Sequence, residues 1–241
     1  QKRIDKYGAE EYDSDTAEYY IEGVEKGLQE EMEKNEVFVR VTPENLEKVV
    51  EDGKLKNTFD NKKTSAPLKA NKVTYKRYRE ERLSAEDKLM GVDRESTDRP
   101  VYGYLSKTET GRLVNAPHNV EYNKPEEDDP WLEAYGSVSL KLKPAVKERS
   151  TWSNIDSLDS QDRIRTSPIS KPSYFSMWEG HNQNIIRSDS QFDTDEGLYW
   201  EAQIFGGVTL GDIDTVFSRD PLPESLTKRL DEEGIKWQIV K

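Results

Sequence analysis

Short runs of β-branched and aromatic residues, separated by longer polar stretches, predict a fold built mainly from short strands. In Tyr135–Leu142, serines and a lysine alternate with Val138, Leu140 and Leu142, which is the period of a strand with one buried face. The predicted strands span Val37–Val41, Val101–Leu105, Tyr135–Leu142, Tyr199–Phe205, a short run ending near Phe217, and Ile235–Val240.

Helices are predicted where apolar residues recur every three or four positions. Thr42 is a favourable N-cap with Pro43 at the first helical position, and Gly53 is a favourable stop. Further helices are predicted around Arg77–Met90 and from Pro223 to Gly234. We divide the chain into an N-terminal helical segment or connector over 1–36 and one α+β domain over 37–241.

Composition adds long loops to this picture. The chain has 241 residues, enough for one generous domain, yet only 33% are hydrophobic, 35% are charged, and the mean hydropathy is −0.97. Residues 153–197 have little periodicity, and a loop of that length is usually functional or disordered. We expect the loop that faces an acceptor molecule to lie there.

Charge and rare residues exclude several classes of function. A net charge of −12 argues against nucleic acid or an acidic membrane as the main partner, because phosphate binding would need a local surplus of Lys and Arg. Cysteine is absent, and His118 and His181 are the two histidines, so we expect no disulfide and no metal site. No apolar run reaches membrane-spanning length and no signal peptide is evident, so we expect a soluble piece of a longer protein, since it begins at Gln1.

Polar residues on predicted strands are the candidates for chemistry, because Walker, Rossmann and nucleophile-elbow motifs are missing. Arg40 lies in an apolar strand, Ser137 and Ser139 share one strand face, and Glu201 and Gln203 share another. Each alone is explained as well by an ordinary half-exposed strand.

The serial order of these groups resembles that of ADP-ribosyltransferases, in which an early Arg is followed by a Ser-Thr-Ser strand and a late Glu-x-Glu or Gln-x-Glu strand. Longer segments of the sequence, within about residues 37–217, are similar to ADP-ribosyltransferase-like domains appended to phage head-morphogenesis proteins and polymorphic toxins. The segments that carry this resemblance are Val37–Leu46, Arg99–Leu105, Tyr135–Leu140, Glu148–Trp152 with Asp156-Ser157, and Glu201–Val208. The resemblance implies an α+β ADP-ribosyltransferase-like fold, with a split β-sheet core, flanking helices and long loops.

The resemblance also implies NAD as the substrate. Arg40 would grip the pyrophosphate, and Ser137, with Ser139 on the same strand, would orient the nicotinamide ribose or the catalytic strand. Nicotinamide would stack on an aromatic side chain, for which the candidates are Tyr102, Tyr104 and Tyr135.

The catalytic carboxylate departs from the family pattern, because Gln203 occupies the position of the essential second Glu and Glu201 lies one pleat earlier. A carboxylate stabilises the oxocarbenium-like transition state far better than a neutral amide. Three outcomes stay open: Glu201 takes the role, Gln203 suffices for NAD hydrolysis, or the site is inactive. We favour activity, because Glu201 is flanked by Tyr199 and Trp200.

Function follows as a set of alternatives. The first is transfer of ADP-ribose from NAD to a protein or nucleic-acid acceptor, or hydrolysis of NAD, in the cytoplasm of a bacterial host. The second is an inert module of the same fold in the virion, joined to head or portal components, and the third is an acidic DNA mimic. Away from the site, we expect Arg149 and Asp156 to form a structural ion pair at the cleft edge.

Overall fold

A computed structural model describes residues 14–61, 74–93, 98–111, 113, 135–153, 157, 166–172 and 200–240. The helices are α1 Ser14–Lys34, α2 Pro43–Asp52, α3 Thr58–Asn61, α4 Tyr75–Met90 and α5 Glu224–Glu232, with 3₁₀ turns at Pro144–Arg149 and Leu210–Asp212. The strands are β1 Glu36–Val41, β2 Lys54–Leu55, β3 Val101–Ser106, β4 Val138–Leu142, β5 Ser150–Ser153, β6 Ser167–Pro168, β7 Glu201–Ile204, β8 Val208–Thr209, β9 Ile213–Ser218 and β10 Lys236–Ile239.

Eight of these strands form one sheet in the order β10-β9-β4-β1-β3-β7-β5-β6. Every neighbouring pair is antiparallel except β9 and β10, which run parallel, and β2 and β8 form a separate small ribbon. The predicted mixture of helices with a strand-rich core is therefore confirmed as a mixed α and β fold around a large, mostly antiparallel sheet.

The two faces of this sheet differ in chemistry. In β1, Val37, Val39 and Val41 belong to the main hydrophobic core, whereas Phe38 and Arg40 lie on the opposite face. Helices α1, α2 and α5 contribute to the main core through Val24, Leu28, Met32, Leu46, Val49, Val50, Leu226 and Leu230. Each fully buried leucine contributes roughly 1.5–3 kcal/mol. Helix α1 thus packs into the same core as the sheet.

Local signals at helix ends explain the start and stop of α2. The Thr42 hydroxyl accepts from the backbone N–H of Asn45 at 3.2 Å, and Pro43 is the first helical residue. Gly53 ends the helix with φ 75°, a left-handed conformation that suits glycine. The predicted N-cap at Thr42 and the predicted stop at Gly53 are both confirmed. The helix predicted around Arg77–Met90 is also confirmed, as α4.

The pairing between β1 and β3 ends halfway along both strands. Their ladder runs from Glu36–Ser106 to Phe38–Tyr104 and stops there. Beyond that point β1 pairs with β4 as far as Val41, and β3 pairs with β7 as far as Val101. We call this place, where the two strands cease to pair, the fork.

Two predicted strands are shorter than expected. The strand predicted from Tyr135 begins at Val138, because Gly136 has φ 139° and lies so close to β1 that an added Cβ would be 2.1 Å from the Val41 carbonyl oxygen. The strand predicted from Tyr199 begins at Glu201. Tyr199 lies outside the described residues, as do His118, His181, Asp156 and most of the 153–197 segment. In the part of the chain that is described, no helix has both the length and the apolar character needed to cross a membrane.

Candidate functional site

A hollow of about 270 Å³ lies at the fork, on the side where β1 and β3 no longer pair. Strand β1 contributes Val39 to Val41 and strand β3 contributes Val101 to Tyr104. The rest of its wall consists of Asn45, Lys48, Val49, Asp52, Lys54, Leu55, Lys56, Asn57, Tyr78, Arg82, Pro100, Tyr135 and Glu201. This volume is slightly below the range of about 300–1,000 Å³ that is typical of small-molecule sites.

Arg40 is a buried side chain whose guanidinium is held from three directions. Its Nε donates to the Tyr104 hydroxyl at 3.1 Å, Nη1 donates to the Gly136 carbonyl at 3.3 Å, and Nη2 approaches the Gly111 carbonyl at 3.5 Å. These contacts fix a positive charge at the wall of the hollow. They also explain how a charged residue is tolerated in an apolar strand, since neutral acceptors compensate its burial.

Ser139 lies directly opposite Arg40 in the ladder between β1 and β4. It is fully buried, and its Oγ is 3.1 Å from the Tyr104 hydroxyl. The Tyr104 hydroxyl donates its single hydrogen to the Gly111 carbonyl at 2.6 Å, so Ser139 is the donor in its bond with Tyr104. Ser139 therefore supports the residues of the wall and is not itself among the described lining residues.

Ser137 lies outside β4, although the sequence predicted one strand from Tyr135 to Leu142. It precedes β4, in the bend that follows Gly136, and it is half-buried. Its carbonyl accepts from the backbone N–H of Arg219 at 3.1 Å. The period-two pattern was extended too far because it takes no account of the positive φ of Gly136.

Glu201 and Gln203 lie on the same face of β7, as their spacing predicted, and both are buried. The Gln203 amide donates to Glu201 Oε1 and to the Ser153 hydroxyl, each at 2.9 Å, and its oxygen accepts from the Thr151 hydroxyl at 2.8 Å. Glu201 lines the hollow, whereas Gln203 is not among its described lining residues. Of the two, the carboxylate residue is the one at the hollow, and the amide holds it.

Four tyrosines line the hollow, and the three that were predicted to stack on nicotinamide differ in burial. Tyr104 is buried and bonds to Arg40, Tyr102 is partly buried, and Tyr135 is 37% exposed at the rim. Burial raises the pKa of the Tyr102 phenol well above its usual range, and the nearby Glu86 and Glu201 carboxylates act in the same direction while the Arg82 guanidinium opposes them. Tyr102 is thus neutral near neutral pH, and it donates its single hydroxyl hydrogen to Glu86 Oε1.

The charge of the wall is opposite to that of the chain. Five cationic side chains, Arg40, Lys48, Lys54, Lys56 and Arg82, line the hollow together with two carboxylates, Asp52 and Glu201. Lys56 is paired with Asp52 at 2.6 Å. On a protein of net charge −12 this is a local positive surplus, the arrangement that attracts an anionic ligand.

Two curated phage proteins are similar to part of this chain. The "Gene 2 protein" of Mycobacterium phage D29 is 31% identical over 120 residues, which cover 45% of this chain and 46% of that protein. The "Gene 2 protein" of Mycobacterium phage L5 is 33% identical over 122 residues, covering 45% of this chain and 47% of that protein. The match spans about half the length of each relative. No protein-family model matches the chain.

Several residues at the site were missed by sequence analysis. Arg82 and Glu86 belong to α4, where a basic and an acidic residue four positions apart usually form a surface pair, yet both are buried against Tyr102. Strand β5, which supplies Thr151 and Ser153 to Gln203, was also missed. Its polar residues follow a 3₁₀ turn, and only their position beside β7 identifies them as part of the sheet.

Arg149 forms an ion pair with Asp212, and the pair predicted between Arg149 and Asp156 stays a prediction. Its Nη2 is 2.9 Å from Asp212 Oδ2, and its Nη1 donates to the carbonyls of Phe205 and Gly207. Asp156, the expected partner, lies outside the described residues. Among the residues that the structure describes, no cluster of three or more carboxylates and histidines is arranged to hold a metal ion.

Proposed function

We propose that this chain binds NAD at the fork and breaks its nicotinamide glycosidic bond, passing ADP-ribose to water or to a macromolecular acceptor. The observation that carries the proposal is the presence of Arg40, Glu201 and four tyrosines around one cationic hollow in an acidic protein. Its elements are those that a dinucleotide requires: fixed positive charge for phosphates, aromatic surface for a base, and one carboxylate for a sugar cation.

The phosphates are assigned to Arg40 and to the lysines of the α2 and β2 wall. The Tyr104 hydroxyl and two backbone carbonyls hold the Arg40 guanidinium before ligand arrives, so little side-chain entropy is lost on binding. Lys48 and Lys54 are exposed at the rim, where they add to the attraction of an anion from solution.

Nicotinamide is assigned to the side of the hollow that Tyr102 and Tyr135 line. Tyr102 is anchored by a 2.8 Å bond from its hydroxyl to Glu86, which keeps its ring fixed. Tyr135 lies at the rim and is more exposed, so it is placed to cover a bound base.

Glu201 is the residue proposed to act on the ribose. As the bond from ribose C1′ to the pyridinium nitrogen breaks, its electron pair goes to that nitrogen, neutral nicotinamide leaves, and positive charge develops on the sugar. The Glu201 carboxylate stabilises this charge, and a charge pair at about 4 Å contributes roughly 4 kcal/mol at an effective dielectric near 20. Water or an acceptor nucleophile then forms a bond to C1′ and releases a proton.

Gln203 has a supporting role in this proposal. Its amide donates to Glu201 Oε1 and is itself held by Thr151 and Ser153. The Gln203 amide therefore orients the Glu201 carboxylate. Gln203 itself occupies the position that holds the second Glu in the resembled family. Of the three outcomes that the sequence left open, the geometry favours Glu201 as the acid.

The test is release of nicotinamide from NAD by the purified chain, followed by chromatography with and without bacterial lysate. Glu201→Gln preserves shape and removes the charge, so we expect nicotinamide release to fall by on the order of 10²–10³-fold. Glu233→Gln, which changes an exposed residue far along the chain at the end of α5, is the matched control and should release nicotinamide like the parent. No release by the parent chain, together with no change of its melting temperature by NAD, would refute the proposal.

A second candidate is an inert module of a phage particle. Two observations favour it: the similar proteins are phage proteins, and the Arg40, Ser139 and Gln203 side chains all bond to protein groups. In that case Arg40→Lys and Glu201→Gln change stability alone. NAD then leaves the melting temperature of the parent chain and of both variants unchanged.

A further inference from the structure

We infer that Arg82 of α4 is a positioning residue, which fixes the Glu201 carboxylate and the Tyr102 ring at the hollow. This inference rests on the proposed function, in which Glu201 is the acting carboxylate. No motif of the sequence analysis includes Arg82, and the assignment comes from its contacts alone.

Arg82 is 5% exposed and is packed between aromatic and polar partners. Its guanidinium carbon is 3.8 Å from the centre of the Tyr102 ring and 5.7 Å from that of Tyr78. Its Nη1 donates to the Ser157 hydroxyl at 2.8 Å. A guanidinium combines both contacts, because its flat face stacks on a ring while its edge donates hydrogen bonds.

Ser157 connects Arg82 to the carboxylate. It is fully buried, and its backbone N–H is directed at Glu201 Oε1 over 3.4 Å, a long hydrogen bond. The same oxygen accepts from the Gln203 amide at 2.9 Å. The carboxylate is therefore held from the sheet by Gln203 and from outside the sheet by a residue that Arg82 anchors.

Tyr102 is held on two sides by the same helix. Its hydroxyl donates to Glu86 Oε1 at 2.8 Å, and the Arg82 guanidinium covers its ring. Since Arg82 and Glu86 are one helical turn apart on α4, the helix acts as a rigid support for the ring. Arg82 thus contributes to the positions of both the Tyr102 ring and the Glu201 carboxylate.

The experiment compares Arg82→Lys and Arg82→Met with the parent chain in steady-state nicotinamide release from NAD. A shift of about 1 Å in a reacting group costs on the order of 10²-fold, so we expect kcat to fall by that factor in Arg82→Met while KM for NAD changes by less than about threefold. Arg82→Lys keeps the positive charge but lacks the planar guanidinium, and we expect its kcat to lie between those of Arg82→Met and the parent. Arg77→Met, an exposed residue on the same helix, is the control and should match the parent.

Crystal structures of the parent and Arg82→Lys proteins provide a measurement that does not depend on turnover. We expect the Ser157 N–H to move out of hydrogen-bonding range of Glu201 in the variant. An unchanged kcat in both variants of an active parent would overturn the inference. If the parent releases no nicotinamide, the proposed function fails, and the structures decide the inference: a displaced Glu201 carboxylate supports it and an unmoved carboxylate overturns it.

Discussion

The Nε of Arg40 lies 3.1 Å from the hydroxyl oxygen of Tyr104, at the end of the ladder that β1 and β3 share. Tyr104 is also the ladder partner of Glu201 on the other side, between β3 and β7. One tyrosine therefore connects the cationic and the acidic parts of the hollow. This arrangement depends on three strands that are far apart in sequence, which is why the fold must form before the site exists.

Tyr104→Phe removes the hydroxyl and keeps the ring, which stacks on Phe38 with centroids 5.8 Å apart. Arg40 and Ser139 lose a buried acceptor, so we expect a loss of about 1–3 kcal/mol in the free energy of unfolding, measured by urea denaturation. NAD affinity, measured by calorimetry, should weaken as well because the guanidinium is no longer fixed. Tyr75→Phe, at the half-exposed start of α4, is the control and should differ little from the parent. Equal stability of Tyr104→Phe and the parent would contradict the role given to the hydroxyl.

Gly103→Ala tests how closely the strands approach at the fork. An added Cβ would be 2.3 Å from the Phe38 carbonyl oxygen and 3.1 Å from Val39 Cγ2, and the backbone oxygen cannot move without disturbing β1. We expect a loss of more than about 2 kcal/mol in the free energy of unfolding, as in other overpacked sites.

Gly23→Ala is the opposite case and serves as the control for Gly103→Ala. Gly23 lies in α1 with nothing within 4 Å of the added Cβ, so alanine should stabilise the chain by roughly 0.5–1 kcal/mol. Urea denaturation of the two variants should give changes of opposite sign. A destabilisation of similar size in both would show that the fork is not specially constrained.

Local signals were sufficient to predict much of the fold. The cap at Thr42, the stop at Gly53 and the alternating strands are encoded within a few residues, because capping and period-two burial depend on near neighbours. The same period-two rule placed Glu201 and Gln203 on one face of β7 correctly.

The parts that failed depend on contacts between distant segments. Ser137 was placed on a strand because a pattern does not reveal that Gly136 turns the chain against Val41. The sequence predicts a helix around Arg82 but not the burial of its side chain, which depends on Tyr102 and Ser157, many residues later in the chain. Similarly, the hydrogen bonds that Gln203 makes with Thr151 and Ser153 depend on the pairing of β5 with β7, which local sequence does not reveal.

Glu86→Gln tests the buried network behind Tyr102. Glu86 is fully buried and accepts from the Tyr102 hydroxyl and from Arg99, itself only 4% exposed. Removing the carboxylate charge breaks the buried ion pair between Glu86 and Arg99, so we expect about 3–5 kcal/mol of destabilisation in urea. Glu80→Gln, on the exposed face of the same helix and paired with Arg79, should cost no more than about 1 kcal/mol. If Glu86→Gln lowers the free energy of unfolding no more than Glu80→Gln does, the buried network stabilises the fold no more than a surface ion pair.

Asp212 gives a prediction about pH. Burial raises the pKa of its carboxyl, but hydrogen bonds from the Thr209 backbone and side chain, at 2.7 and 2.8 Å, and the Arg149 guanidinium outweigh burial and lower the pKa below the ordinary 3.8. A depressed carboxyl pKa means that the stabilisation is fully present above the unfolded-state pKa and is lost as pH falls through the folded-state pKa.

Asp212→Asn should therefore destabilise the chain near neutral pH, by about 1 kcal/mol as for a lost cap. The difference from the parent should shrink as urea titrations are carried to pH values below the ordinary aspartate pKa of about 3.9, because the carboxylate is lost by protonation there. Asp220→Asn, at an exposed position after β9, is the matched control, and a difference between parent and Asp212→Asn that stays constant with pH would contradict the assignment of this capping carboxylate.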